Sequence, residues 1–247
     1  LQDHLQIRPI WKVSNTRTLN VDYQSLFKRV KMGIDYALFR RGPLTMAPSQ
    51  LGLFTRSSAD METANLQFHI QPLSLDRFGE PMHSFGAITV SVCNLRPTSR
   101  GSIHIKSRDF KTGPSIRPNY LSTTQDQHVA IDALKVARRL CNAQALAPFT
   151  PEEFRPGAHI VSDEDLLKAA GDLGTTIFHP VGTAKMGAAH DPMSVVDERL
   201  RLRGVTGLRI ADASVMPRIT SGNTNSPTMM IAEKAAQMIL GDARGLA

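Results

Sequence analysis

Cysteine is almost absent: Cys93 and Cys141 are the only two in 247 residues. Two such thiols build no disulfide framework, and neither stands in a metal-ligand spacing. No metal site is expected, and the chain reads as a cytoplasmic protein of a reducing compartment. Long apolar runs are missing too. No stretch reaches the roughly 18 residues that span a bilayer, and no signal peptide is visible, so a transmembrane segment is not expected. The net charge is +7, yet its cations are scattered, as at Lys28, Arg29, Arg138, Arg139, Arg201 and Arg203. Aromatics make up 6% and do not interleave with a basic run, so a solvated basic surface is expected and no nucleic-acid partner. The 17 glycines never form a G-x-G, which leaves the chain without a glycine-rich pyrophosphate cradle.

What is present is a globular composition, 41% hydrophobic and 21% charged, enough for one large domain or parts of two. The opening LQDHLQIRPIWKV has no initiator Met and no helix or strand signal, and reads as the middle of something longer. Leu26, Val30, Ile34 and Leu38 recur every four residues and predict a helix over about 22–39, closed by Gly42-Pro43. RRGPLTMAPSQLGLF is expected to be a loop whose apolar Leu44 and Met46 fold over something. From Leu66 the pattern alternates, with Leu66, Phe68 and Ile70 against Gln67, His69 and Gln71. FGAITVSVCNL and GSIHIKS repeat the alternation, which predicts an antiparallel meander with one polar face.

Helices return with a stripe of Val129, Ala133, Ala137 and Leu140, and again in SDEDLLKAAGDLG, N-capped by Ser162. In the last third, TTIFH and GLRIADASVMP are expected as short strands. The final helix is expected to be capped by Ser226, to carry Pro227 at its first position and to end before Gly241. TMMIAEKAAQMIL is apolar enough that burial on most sides is expected. The fold class is α+β.

Three stretches hold polar groups suited to chemistry. His179 precedes Pro180 in FHPVGTAKMG; proline holds the residue before it extended, and the small residues that follow leave room beside the ring. Asn223 and Asn225 flank Thr224 just before the final helix, whose N-terminal N–H groups favour an anion or an electron-rich ligand edge. Asp212, among small neighbours in IADAS, follows a strand, a common place for a polar ligand contact. Each has a plainer explanation when taken alone: a structural histidine, helix capping, an aspartate that ends a strand.

Together and in this order, HPVGTAKMG, GLRIADASVMP and SGNTNSPTMMIAEKAAQMI resemble the C-terminal signature of the GMC (glucose–methanol–choline) flavoprotein oxidoreductases. LQDHL resembles the tail of the family's GVGENLQDHL, and LRPTSRGSIHIKS its RP-x-SRG segment. The resemblance runs over essentially the whole chain and favours the choline-dehydrogenase-like alcohol dehydrogenase branch. It implies an FAD cofactor and oxidation of an alcohol substrate to an aldehyde by hydride transfer to flavin. For the fold it implies that 1–10 end an FAD-domain segment, that 11–174 form an antiparallel-sheet substrate-binding domain with flanking helices, and that 175–247 return to the FAD domain. That last segment supplies the C-terminal strand and helix of an incomplete Rossmann-like domain, so a missing N-terminal FAD-binding half is implied as partner.

By the same resemblance His179 matches the catalytic histidine and Asn223 its partner. Asp212, Ala213, Thr224 and Asn225 match positions that line the flavin, and His69 matches a substrate-pocket histidine. Ile177, two residues before His179 on the same strand face, is expected to pack beside it in the substrate pocket. Gln6 stands where choline-oxidising members carry a Glu, which favours an uncharged alcohol. The alternative, from another class, is a truncated non-catalytic chain that binds no flavin alone. The particular alcohol and the electron acceptor stay open.

Overall fold

The computed structural model describes residues 1–47 and 49–245. Pro48, inside the expected loop, and Leu246 and Ala247, at the end of the expected C-terminal segment, lie outside the described residues. The elements in chain order are β1 (Leu5–Ile7), β2 (Ile10–Lys12), α1 (Leu19–Gln24), α2 (Leu26–Phe39), β3 (Leu51–Thr55), β4 (Leu66–Gln71), β5 (Ala87–Asn94), β6 (Ser102–His104) and β7 (Ser115–Arg117). After these come α3 (Thr124–Cys141), β8 (Glu152–Arg155), α4 (Asp163–Leu173), β9 (Gly174–Thr176) and α5 (Asn225–Ala243). The mixture of helices and antiparallel sheet is the expected α+β class. The chain divides into two compact units. One, the sheet unit, holds Gln6–Asn94 and Gln127–Thr175; the other, the site unit, holds Leu1–Leu5, Leu95–Asp126 and the chain from Thr176 onward.

In the sheet unit the strand order is β3-β4-β5-β1-β9, with β2 pairing both β5 and β8. β1 and β2 lie antiparallel on the same strand, Ile7 opposite Val92 and Ile10 opposite Thr89. They are one strand interrupted at Pro9, which has no N–H for the ladder, although its carbonyl still accepts from Val90 N at 3.0 Å. The stretch expected as a loop ends in β3, in register with β4 from Leu51 opposite Ile70 to Thr55 opposite Leu66.

The polar face of β4 and β5 is covered and not solvated: Gln67 and Gln71 are each 5% exposed, and Thr89 and Ser91 are fully buried. It survives burial because short hydroxyls reach backbone. Thr89 Oγ1 donates to Leu73 O at 2.7 Å and Ser91 Oγ to His69 O at 2.8 Å.

The helix expected over 22–39 is broken at Ser25, whose extended backbone (φ −95°, ψ 117°) separates α1 from α2. Ser25 Oγ accepts from Lys28 N at 3.4 Å and so caps α2. The stripe that predicted the helix points outward, with Leu26 and Leu38 67% and 71% exposed. α3 and α4 behave as expected. Val129, Ala133 and Ala137 are buried on α3. Ser162 Oγ accepts from Asp165 N at 3.1 Å to start α4.

In the site unit, GSIHIKS does not join the meander. β6 pairs with β7 in a separate two-stranded ribbon, Ile103 opposite Ile116. The RPTSRG turn before it explains why. Asp126 accepts from Thr98 N at 2.9 Å and Ser99 N at 2.8 Å, which folds the turn onto the start of α3. Gly101 is needed there, since a Cβ would come within 2.6 Å of Pro118 O.

The core of this unit is Val196, Leu200, Val215 and Ala235, flanked by Met186, Ile210 and Ile231. GLRIADASVMP is not a strand. Asp212 Oδ1 accepts from Ser214 N at 2.8 Å, and this local bond winds Ala213–Val215 into a 3-10 turn. α5 starts at Asn225, so its N-cap is Thr224 and not Ser226, and it runs through Gly241 to Ala243. Among its described side chains only Ala235 is buried, while Met229 and Met230 are more than half exposed. The expectation of burial on most sides is therefore wrong for this chain: the Ala235 face alone packs on the core. Arg199 and Arg209 both pair with Asp242 and tie the far end of α5 to the preceding loops.

Candidate active site

The site unit brings together three chain segments that are distant in sequence, and one glutamine fastens them. Gln2 exchanges backbone hydrogen bonds with Val181, both 2.9 Å. Its side chain donates to Pro217 O at 3.2 Å and accepts from Ile219 N at 3.2 Å. Gly182 passes through this clip at φ 77°, and a Cβ there would stand 3.3 Å from both Gln2 Nε2 and Met216 O.

Asp3 follows, and its buried carboxylate organises the histidine. Oδ1 accepts from His4 N at 2.9 Å and His179 N at 3.0 Å. Oδ2 accepts from Thr176 Oγ1 at 2.6 Å and from the Tyr120 hydroxyl. Burial, then the hydrogen bond to Asp3, pushes the Tyr120 phenol well above its ordinary value, so it stays a donor.

β9 ends at Thr176, so neither Ile177 nor His179 lies on a strand. The expected shared strand face is absent because Phe178 turns left-handed, φ 65°, with its N–H on Thr176 Oγ1 at 2.9 Å. Ile177 is half-buried, and its N–H donates to His4 O at 3.3 Å.

His179 is 8% exposed. Its Nδ1 lies 3.0 Å from His4 Nδ1, the rings nearly perpendicular at 83°. Its Nε2 lies 3.4 Å from the Asn223 amide nitrogen. His4 is fully buried, its Nε2 3.2 Å from the Leu95 carbonyl. Burial lowers the His179 pKa below the ordinary 6.5, and the negative charge of Asp3 partly opposes this. The ring is therefore neutral near pH 7, the state in which an imidazole can take a proton.

The structure sets His179 beside Asn223 and puts Thr224 and Asn225 at the start of α5. Asn223 and Asn225 are exposed, while Thr224 is buried and its carbonyl accepts from Thr228 Oγ1 at 2.7 Å. Asp212 is exposed, and Ala213 is half-buried in the 3-10 turn. His69 belongs to the sheet unit, on β4 opposite Ser91. Asp3, His4 and Tyr120 were not singled out from the sequence. The signal available for the first two was an acid–histidine pair enclosed by the apolar residues of LQDHL.

A GMC oxidoreductase family model matches residues 97–232, more than half of the chain, and the chain belongs to that family. It is 38% identical over 241 residues to an alcohol dehydrogenase [acceptor] of Pseudomonas putida, covering 97% of this chain and 43% of that protein. It is 34% identical over 241 residues to an oxygen-dependent choline dehydrogenase of Brucella canis, covering 98% of this chain and 44% of that protein. The chain thus spans less than half the length of these relatives. Among solved structures it superposes on a variant of Aspergillus oryzae formate oxidase studied for FAD modification, TM-score 0.88 at 23% identity, covering 100% of this chain and 47% of that one. A fungal aryl-alcohol oxidase matches with TM-score 0.79 at 19% identity, covering 98% and 48%. Among the described residues no helix is long and apolar enough to cross a membrane, and no group of three or more His, Cys, Asp or Glu is placed to hold a metal.

Proposed function

We propose that this chain supplies the proton-accepting wall of an FAD-dependent alcohol oxidoreductase, with His179 as the base and Asn223 as its partner. The observation that carries the reading is the buried, neutral His179 with Nε2 directed at Asn223. As the alcohol is oxidised to an aldehyde, its hydroxyl proton passes to His179 Nε2 and its carbon gives up a hydride. A bound flavin supplies the acceptor for that hydride. Asn223 holds the same alcohol oxygen from the side, and the imidazolium that forms is steadied by the charge of Asp3.

The residues fit a flavin on two counts. The Thr220 hydroxyl is enclosed with no hydrogen-bond partner among the described residues. Thr224, the N-cap of α5, makes no side-chain cap hydrogen bond, and the N–H groups of Asn225 and Ser226 suit the electron-rich edge of an isoalloxazine. Asp212, Ala213, Thr224 and Asn225 would hold it, in concert with a part of the protein that carries the pyrophosphate cradle this sequence lacks. His69 and Ile177 are assigned to the alcohol side. With Gln6 in place of an acid, the substrate is an uncharged alcohol.

The test is the absorbance of the full-length protein. Flavin bands that bleach without oxygen on addition of a primary alcohol support the reading. A flavin that no alcohol reduces, or no flavin at all, refutes it.

A further inference from the structure

His179 can serve as a base only if its proton sits on Nδ1 and leaves Nε2 bare, and nothing in the proposed pair of His179 and Asn223 guarantees that tautomer. Resting on that reading, we propose that His4 is the positioning residue that sets it. The Leu95 carbonyl can only accept a hydrogen bond. His4 Nε2, 3.2 Å away, must carry the proton. A neutral His4 then has a lone pair on Nδ1, which faces His179 Nδ1 at 3.0 Å and accepts from it. His179 has one proton to place and places it there. Its Nε2 is left bare.

The contact at the other end agrees independently. An amide nitrogen only donates, and Asn223 Nδ2 lies 3.4 Å from His179 Nε2. The opposite set of tautomers would bring two N–H groups together at Asn223 and two acceptors together at Leu95. The mismatch at Leu95 is fully buried, so it forfeits a hydrogen bond in a place where water cannot repair it. His4 cannot turn away from this duty, being fully enclosed, with its backbone N–H held by Asp3 Oδ1 at 2.9 Å. The relay runs from Leu95 O through both rings to Nε2, so the base is oriented by a main-chain carbonyl 91 positions from His4 in sequence.

Two measurements on the flavin-loaded, full-length protein test this. The first is the nitrogen NMR spectrum of histidine-labelled wild type, which needs no variant to fold. A His179 protonated at Nδ1 and bare at Nε2 supports the proposal, and the reverse tautomer overturns it. The second is anaerobic flavin reduction by an alcohol in three variants. His4→Leu cannot accept from His179, and reduction should slow by at least about tenfold, up to the 10²–10⁴-fold worth of a general base. His4→Asn puts a carbonyl oxygen where Nδ1 was and should regain most of that loss, with the thermal midpoint of the two variants alike. If His179→Ala is slow while His4→Leu matches wild type, His4 sets nothing and the reading of His179 stands. If His179→Ala itself reduces at the wild-type rate, that reading fails first.

Discussion

Replacing Asp3 should unsettle His179 more than any other single change outside the ring itself. The carboxylate is 8% exposed and collects four donors: two backbone N–H groups, a threonine and a tyrosine hydroxyl. In Asp3→Asn the remaining oxygen can keep both N–H groups. The new amide can donate to Tyr120 and Thr176, whose hydroxyls can rotate to accept. What is lost is the charge. Hydrogen bonds to a charged group contribute about 1.5–3 kcal/mol against about 0.5–1.5 for neutral ones, so a net loss of about 1–3 kcal/mol is expected after partial re-pairing. Asp3→Ala leaves the His4 and His179 N–H groups buried and unsatisfied at about 1–3 kcal/mol each, for a total of about 2–6 kcal/mol. Denaturation midpoints at equal flavin loading give the order wild type, Asn, Ala. An Ala variant within about 0.5 kcal/mol of wild type would refute the account of Asp3, because changes that small belong to surface positions.

The lowered pKa of His179 fixes the sign of two pH effects. The kcat/KM for alcohol should fall on the acid side with an apparent pKa below the ordinary 6.5, and His179→Gln should lose that limb; an acid limb above 6.5 contradicts the burial argument. Because the folded pKa is the lower one, the stability contributed by this histidine is complete above 6.5 and is lost as pH falls through the folded value, a slope that His179→Gln should flatten in acid melts. Asn223→Ala should slow flavin reduction, but less than His179→Ala, since Asn223 holds an oxygen and takes no proton; equal or greater loss in stopped-flow would reverse the two roles. In steady-state assays an uncharged primary alcohol should exceed choline in kcat/KM, His69→Ala should raise KM for that alcohol, and Gln6→Glu should narrow the preference; a wild type that prefers choline would sink the charge argument.

The elements with strong periodicity were legible in the sequence, and those made by long-range pairing were not. α3 and α4 follow from apolar spacing and Ser162, and β4 and β5 from alternation. β3 was hidden because Gly52 and the preceding Gly/Pro turn break up its short pattern, and only its register with β4 makes it a strand. β1 and β2 were hidden by Pro9. α5 shows the opposite failure: its apolar composition was read correctly, yet composition does not say which faces have a neighbour in this chain. At the site, the recurring motifs pointed to His179 and Asn223, and the structure puts their side chains 3.4 Å apart. His4, Asp3 and Tyr120 were invisible as partners because each reaches His179 or its support across more than a hundred residues, through bonds that no local pattern encodes. Ile177 was misplaced on a strand face because a left-handed Phe178 is not a residue from which a turn is read.

The most direct test of the central claim is anaerobic stopped-flow reduction of the flavin in the full-length protein by a saturating alcohol, wild type against His179→Ala. Loss of the base predicts a reduction rate lower by about 10²–10⁴-fold with flavin content retained. A His179→Ala protein that holds its flavin and is reduced at the wild-type rate would contradict the account.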